Sequence, residues 1–190
     1  RYNDFAIENE GELALVTGSN MSGKSTFLRT VGINVLLARA GFPVCARQAV
    51  LTYCSVISSI QVTDRPEEGL SRFHAEVKRL KAVLDMVNHS EIPTLYLVDE
   101  MLSGTNSRER AIACRSVLRQ LQGQTGAFGI VTTHDLELAK DRDGPPLSYY
   151  HFADRFDGSA LHFDYQLRDG VATTTNAIRV LEIEGIRIQT

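Results

Sequence analysis

Residues 18–25 read Gly-Ser-Asn-Met-Ser-Gly-Lys-Ser, which is a complete Walker A pattern. An apolar run, residues 12–17, precedes this segment, and apolar residues recur over residues 24–41 behind it. The pattern therefore predicts a strand, a tight loop and a helix. Gly18 and Gly23 let backbone N–H groups converge, and a helix N-terminus adds partial positive charge. These features predict a polyphosphate site, and a chance Gly/Ser-rich turn is the alternative.

The Walker A segment (residues 18–25) predicts a nucleoside triphosphate and Mg²⁺ as ligands. In such a motif the lysine, here Lys24, reaches the β- and γ-phosphates. The hydroxyl that follows it, here Ser25, ligates Mg²⁺. The other predicted nucleotide contacts are Gly18, Ser19, Asn20, Met21, Ser22, Gly23 and Thr26.

A second apolar run, residues 94–98, ends in two adjacent carboxylates, Asp99 and Glu100. Neighbouring strand residues point to opposite faces, which predicts different tasks for the two. Asp99 suits a Mg²⁺ ligand, and Glu100 suits orientation or deprotonation of an attacking water. Beside Lys24, the pair favours a hydrolase over a small-molecule kinase. The alternative is two solvated residues at a strand end.

Three further segments gain a chemical role only if they also meet nucleotide. Ser71 precedes a predicted amphipathic helix, and His134 follows a predicted buried strand, residues 127–132. Residues 104–107 form a loop behind the carboxylates, with Ser107 as a capping candidate for the next helix. Ordinary alternatives are a helix cap, a structural histidine and a simple turn, respectively.

In this order, these segments resemble the ATPase domain of MutS proteins over about residues 11 to 186. The Asn20-Met21 pair is the most specific element, since it separates MutS-like domains from most other P-loop proteins. The resemblance is carried by residues 17–26, 69–76, 97–100, 103–107 and 132–135.

The resemblance implies an ABC-type fold that works as a homodimer, with each ATP held between two subunits. Ser71 would contact the nucleotide of the partner in trans, and residues 104–107 would form an interface loop. Lys24, Glu100 and His134 would be the catalytic residues, with His134 as a switch near the γ-phosphate. ATP would then close the dimer and hydrolysis would loosen it.

Base recognition and a second metal contact depend on fewer signals. An adenine platform is usually aromatic, and Tyr2 and Phe5 precede the Walker A segment at a suitable distance. Packing of an N-terminal strand explains both residues equally well. Gln61 follows a predicted strand where ABC-type ATPases often place a metal-sensing glutamine, and an exposed strand-end residue is the alternative.

Several residues depart from the usual mismatch-repair pattern. Ser19 stands where Pro is usual and Ser22 where Gly is usual, while Arg72 and His74 replace Thr and Met. The chain thus resembles a divergent MutS-like paralogue. Two functions stay open: ATP hydrolysis that drives dimer opening and closing in a DNA mismatch repair protein, or an ATP-binding switch with little turnover and no mismatch recognition.

Composition fits a single nucleotide-binding domain over residues 1–190. The chain has 190 residues, 43% apolar content and a formal net charge of −3, so it can bury one core and lacks a basic field for nucleic acid. Cys45, Cys54 and Cys114 lack Cys-x-x-Cys spacing and predict reduced, buried thiols of a cytoplasmic protein.

We expect this chain to be the C-terminal portion of a longer protein. It opens at Arg1 without a signal-like segment, and its apolar runs are too short to span a bilayer. DNA-contacting domains would precede Arg1. We expect no membrane contact from this portion, and an upstream membrane anchor stays compatible with the sequence.

The order of elements predicts an α/β, P-loop NTPase fold with a mostly parallel sheet flanked by helices. Two late strands, residues 148–153 and 160–167, flank a hairpin signal and predict an antiparallel edge. The other predicted elements that follow the Walker A helix are a strand at 56–62, a helix at 71–88, a strand at 94–99, a helix at 107–122, a strand at 127–132, a short helix at 135–140 and a last helix at 175–184.

Overall fold

The computed structural model describes residues 1–60, 72–102, 106–139, 147–157 and 160–172. Ser71, Gln61, residues 103–105 and the predicted last helix lie outside the described residues. The elements in chain order are β1 (Leu13–Thr17), α1 (Lys24–Arg39), β2 (Ser55–Ser59), α2 (Arg72–His89), β3 (Thr94–Asp99), α3 (Ser107–Leu121), β4 (Ala127–Thr133), a 3-10 helix (Leu136–Ala139), β5 (Leu147–Phe156) and β6 (Leu161–Asp169).

The described strands form one mixed sheet of order β2-β3-β4-β1-β5-β6. All neighbouring pairs are parallel except β5 and β6. The predicted α/β class with a mostly parallel sheet flanked by helices is confirmed. The predicted antiparallel edge is correct for β6 and wrong for β5, which lies parallel to β1. The hairpin signal between β5 and β6 defined only their mutual direction.

Helices cover both faces of the central strands. On β3, Tyr96 and Val98 pack into a cluster with residues of α2 and α3. Leu95 and Leu97 pack into a second cluster with residues of α1. This alternation follows the two-residue period of a strand. Because both faces are buried, the central strands are continuous apolar runs and lack a polar face.

The sheet topology brings three chain segments to one edge. Strands β1, β3 and β4 are parallel neighbours, so their carboxyl ends lie side by side. The Walker A segment follows β1, Asp99 ends β3, and His134 follows β4. Ligands of parallel α/β sheets bind beyond the carboxyl ends of the strands, so the predicted site residues converge where such a ligand would lie.

Local details of two helices differ from the sequence-based expectation. Asn106 caps α3, because its side chain accepts a hydrogen bond from the Glu109 backbone N–H at 3.0 Å. Ser107 is the first helical residue, so its assignment as the capping residue was wrong. On α2, Phe73 and Val77 are 38% and 39% exposed. The predicted apolar face of that helix is therefore buried only from Leu80 onward.

The three cysteines are unpaired and differ in burial. Cys45, Cys54 and Cys114 are all free, as predicted, but Cys45 is exposed while the other two are buried. Cys45 belongs to an irregular stretch between α1 and β2 whose side chains mostly face solvent. Within the described ranges, no helix combines the length and the apolar character that crossing a membrane requires.

Candidate functional site

The Walker A segment adopts a backbone that two of its glycines make possible. Gly18 has φ of 146° and Gly23 has φ of 107°. A Cβ on Gly18 would lie 2.9 Å from both the Phe152 carbonyl oxygen and Ser22 Oγ, which is closer than real side chains allow. The segment therefore curls tightly between β1 and α1, as the sequence pattern predicts.

The polar groups of this segment are arranged around the start of α1. Gly23 is the N-cap, its cap makes no side-chain hydrogen bond, and the first turn holds no acidic residue. Ser19 Oγ and Ser22 Oγ are buried and have no hydrogen-bond partner among the described residues. Asn20, Met21 and Thr26 are exposed, and Ser25 is half-buried. Uncapped helix N–H groups and unpaired hydroxyls fit an anionic, oxygen-rich ligand.

Lys24 is the charged centre of the site. Its side chain is 5% exposed, and its Nζ donates hydrogen bonds to the carbonyl oxygens of Gly18 and Ser19, each at 2.8 Å. The same Nζ lies 3.5 Å from Glu100 Oε1. Burial lowers the pKa of Lys24, while the charges of Glu100 and Asp99 oppose that shift. A buried ammonium with these contacts can exchange them for phosphate oxygens.

Glu100 lies one residue beyond β3 and has left-handed backbone geometry, with φ of 45°. The strand alternation assumed from the sequence therefore ends at Asp99 and does not set the direction of Glu100. Glu100 Oε1 lies 3.3 Å from His134 Nδ1. The hydrogen bond with His134 lowers the pKa of Glu100 most, burial opposes it, and Lys24 lowers it further, so the net shift is downward.

Thr132 connects the two carboxylate residues, a role that the sequence reasoning missed. Its hydroxyl donates to Asp99 Oδ1 at 2.6 Å, and the Glu100 N–H contacts Thr132 Oγ1 and its carbonyl oxygen, each at 3.3 Å. Thr132 is fully buried and is the register partner of Asp99. The available signal was a hydroxyl residue near the end of an apolar strand, two positions before His134.

The donor groups at this edge fit a magnesium ion that is shared with a ligand. Asp99 and Ser25 line the same cleft, and they offer one carboxylate and one hydroxyl. Within the described part of the chain, no group of three or more His, Cys, Asp or Glu side chains could hold a metal. Mg²⁺ typically uses one or two protein oxygens together with phosphates and waters.

An open cleft of about 1830 Å³ extends from the Walker A segment toward the N-terminal residues. Phe5 lines it, but its ring packs edge-on against Phe27 and Tyr150, at centroid distances of 5.2 and 5.3 Å. Tyr2 is exposed, with the Arg47 guanidinium 5.8 Å from its ring centroid. Phe5 therefore packs against its neighbours, although residues 1–8 do not form the strand that this interpretation assumed. A contact of Phe5 with adenine stays a prediction.

Tyr165 is an aromatic residue at an irregular point of β6. Phe152 pairs with Leu167 and Asp154 with Phe163, so residues 164–166 bulge opposite a single residue of β5. Tyr165 has φ of 58° and is 45% exposed.

The bulge directs Tyr165 toward the Walker A segment. Its Cδ1 lies 3.2 Å from the position that a Cβ on Gly23 would occupy, and its side chain lines the cleft. The Asn3 side chain holds the bulge, since it donates to the Tyr165 carbonyl and accepts from the Leu167 N–H. The sequence carried no periodic signal for this irregularity.

The sequence of the chain is similar to a protein family model and to MutS and MutS2 proteins. The family model described as MutS domain V matches residues 14–189. The DNA mismatch repair protein MutS of Natronomonas pharaonis is 32% identical over 176 residues, which cover 92% of this chain and 20% of that protein. The Endonuclease MutS2 of Thermus thermophilus is 34% identical over 183 residues, covering 94% of this chain and 23% of the relative.

A third relative, the DNA mismatch repair protein MutS 2 of Halobacterium salinarum, is 31% identical over 186 residues. These residues cover 97% of this chain and 21% of the relative. The chain spans about a fifth of the length of the curated relatives it matches. The matched region includes the Walker A segment, both carboxylates and His134.

Proposed function

Since the chain belongs to the MutS domain V family, we propose that it is the ATP-binding and ATP-hydrolysing domain of a protein that acts in DNA mismatch repair. We assign it an ABC-type P-loop NTPase fold. The observation that carries this proposal is the cluster of Lys24, Glu100 and His134 beside the Walker A segment.

Phosphate binding uses groups that already converge. The β- and γ-phosphates of ATP would take hydrogen bonds from the N–H groups at the start of α1 and from Lys24 Nζ. Lys24 would exchange its contacts with Gly18 O, Ser19 O and Glu100 for phosphate oxygens. Asp99 and Ser25 would hold Mg²⁺, which supplies neutralisation of phosphate charge when it is bound.

Hydrolysis needs a carboxylate that can orient or deprotonate water. Glu100 suits this task because a glutamate is ionised at neutral pH and its Oε1 lies 3.5 Å from Lys24 Nζ, beside the Walker A segment. His134 Nδ1 holds the same Oε1 oxygen that faces Lys24. If phosphate oxygens bound Lys24 Nζ, Glu100 would keep its contact with His134 and would stay beside the Walker A segment.

The base would lie in the cleft beside the Walker A segment. Tyr165 is the ring that supports this placement, because it is half-exposed and reaches Gly23. Stacking on an aromatic ring contributes about 1–3 kcal/mol per base and tolerates different bases. Tyr2 and Phe5 remain candidates for a second contact from the N-terminal side of the cleft.

A homodimer would complete each site. In this proposal Ser71 contacts the ATP of the partner, and residues 104–107 meet the other subunit. Phe73 and Val77 support it, since apolar side chains exposed at the start of α2 suit burial against another surface. DNA would be bound by other parts of the full-length protein, because this chain has a net charge of −3.

Multiple-turnover phosphate release by the full-length protein, measured with and without mismatched DNA, tests the proposal. An ATPase that drives dimer opening should release phosphate repeatedly and respond to DNA. ATP binding without turnover under either condition would favour a binding switch that serves assembly. Failure to bind ATP at all would remove the nucleotide site itself.

A further inference from the structure

We propose that Thr132 is a positioning residue of this site, whose one hydroxyl sets both the direction of the Asp99 carboxylate and the turn at Glu100. The inference rests on the proposed ATPase function. The hydroxyl belongs to β4, whereas both carboxylate residues belong to the chain segment that ends β3. It therefore joins two strands at the point where the chemistry would take place.

On the Asp99 side, the contact fixes which oxygen remains for a metal. Thr132 Oγ1 donates its single proton to Asp99 Oδ1 at 2.6 Å, a short, charge-assisted hydrogen bond. Thr132 is fully buried, so bulk water cannot replace this donor. Because a β-branched side chain has restricted χ1, the direction of the hydroxyl is set by the strand itself. Asp99 lines the cleft, and its Oδ2 oxygen is not used by the Thr132 hydrogen bond.

On the Glu100 side, the contact stabilises an unfavourable backbone conformation. A left-handed residue other than glycine costs about 1–2 kcal/mol, and Glu100 has φ of 45°. Its N–H contacts Thr132 Oγ1 and the Thr132 carbonyl, each at 3.3 Å. This turn places Glu100 Oε1 within 3.5 Å of Lys24 and 3.3 Å of His134.

The Thr132 hydroxyl thus donates a hydrogen bond to Asp99, the proposed metal ligand. Its oxygen also accepts a hydrogen bond from the backbone N–H of Glu100, the proposed water-orienting residue. Loss of the hydroxyl should loosen both groups together while leaving the Walker A segment unchanged. Residues that orient metal ligands typically contribute 10- to 100-fold to metal affinity or activity. The consequence is specific: nucleotide binding that depends on Mg²⁺ should weaken, and nucleotide binding without Mg²⁺ should not.

The test uses the full-length protein carrying Thr132→Val, which keeps the shape and removes the hydroxyl, and Thr132→Ser, which restores it. Thr94→Val is the matched control, because Thr94 is also fully buried but lies at the opposite end of β3. Affinity for an ATP analogue with a non-hydrolysable β–γ bond is measured with Mg²⁺ and with EDTA. Steady-state kcat and KM for ATP are measured in parallel.

We expect Thr132→Val to reduce the Mg²⁺-dependent gain in affinity about tenfold or more and to lower kcat at least as much. Affinity in EDTA should stay within about twofold, Thr132→Ser should recover most of both losses, and Thr94→Val should match wild type. If Thr132→Val does not fold, as judged by circular dichroism, Thr132→Ala carries the same test.

Equal losses with Mg²⁺ and with EDTA would overturn the inference, since they would mark a general structural effect. Wild-type affinity and kcat in Thr132→Val would also overturn it. If the separate Lys24→Ala variant had lost ATP binding, the proposed ATP site would nevertheless stand. A wild-type protein that binds no ATP analogue would instead overturn the proposed function, and this inference with it.

Discussion

Lys24 and Glu100 come from different elements, yet Lys24 Nζ lies 3.5 Å from Glu100 Oε1. The lysine begins α1, and the carboxylate follows β3. Because the lysine is nearly buried, the carboxylate compensates part of the cost of burying its charge. In the proposed function, phosphate and Glu100 compete for the same ammonium group.

Replacing the lysine should remove the nucleotide site. Lys24→Ala deletes a charge-assisted donor, and such hydrogen bonds contribute about 1.5–3 kcal/mol each. ATP affinity measured by calorimetry should fall about 100-fold or more, while circular dichroism should show an intact fold. Lys81→Ala is the control, because Lys81 is an exposed lysine that pairs with Asp85 on α2. Unchanged ATP affinity in the folded Lys24 variant would remove the Walker A assignment.

Replacing the carboxylate should separate binding from hydrolysis. Glu100→Gln keeps size and shape but cannot act as a base, so turnover should slow about 100-fold or more. ATP binding should persist, because the substitution removes negative charge next to the phosphates. Rapid-quench assays and equilibrium titration measure the two effects, with Glu91→Gln, an exposed residue, as the control. Unaltered turnover would mean that another group orients the water.

The ring at the β6 bulge should contribute base affinity and no phosphate affinity. Tyr165→Ala should weaken ADP binding about 5- to 150-fold, the range that corresponds to 1–3 kcal/mol of stacking. Tyr165→Phe should retain most of the affinity, and binding of inorganic tripolyphosphate should not change. Tyr53→Ala serves as a control, since Tyr53 is exposed and lies outside the cleft lining. Equal losses for ADP and tripolyphosphate would place the ring against the phosphates instead.

The sequence was most informative where a short stretch of chain carries the whole signal. The Walker A segment, the strand that precedes it and the helix that follows it are neighbours along the chain, so their order could be predicted from local pattern. Asp99 and Glu100 were identified for the same reason, as polar residues that end an apolar run. The parallel sheet followed from the alternation of strands and helices.

The sequence was silent where distant segments meet. The bulge that carries Tyr165 depends on pairing between β5 and β6 and on the Asn3 side chain. The Thr132 hydroxyl gained a role only because β4 pairs with β3 in a particular register. Strand β5 could not be placed beside β1 by a hairpin signal. Long-range pairing leaves no periodic trace in either partner.

The lowered pKa of Glu100 predicts a change of stability with pH. A carboxyl with a lower pKa in the folded state stabilises that state above its unfolded pKa, about 4.3, and loses this contribution as pH falls through the folded value. In urea unfolding experiments, the free energy of unfolding of wild type should therefore fall more steeply than that of Glu100→Gln as pH drops below about 4.3. Above that pH the variant should be the less stable protein.

The difference between the two proteins is the quantity to measure. The pKa of Glu12 is also lowered, because hydrogen bonds from Ser148, Asn9 and Glu8 together outweigh burial, which alone would raise it. That contribution is common to both proteins and cancels. The expected effect is about 1 kcal/mol or less, since the Glu100 side chain is 31% exposed. If the free energies of unfolding of the two proteins changed in parallel with pH, the contacts of Glu100 with His134 and Lys24 would not stabilise the folded state.

The proposed homodimer predicts that two inactive variants restore each other. Lys24→Ala destroys the Walker A contact of its own subunit, and Ser71→Ala removes the contact proposed for the site of the partner. A mixed dimer then holds one intact site, built from the Walker A segment of the Ser71 variant and from Ser71 of the Lys24 variant. Random pairing makes half the dimers mixed, so about a quarter of wild-type turnover is the ceiling for independent sites.

The mixing experiment belongs in the full-length protein at concentrations that support dimers, because apparent activity depends on how much dimer is present. Phosphate release is measured after the two variants have exchanged subunits, and crosslinking of differently tagged chains verifies the mixed species. A Lys24→Ala, Ser71→Ala double variant mixed with either single variant is the control, since it cannot rebuild an intact site with two working contacts. If mixed dimers form and turnover stays at the level of the single variants, Ser71 serves only its own helix.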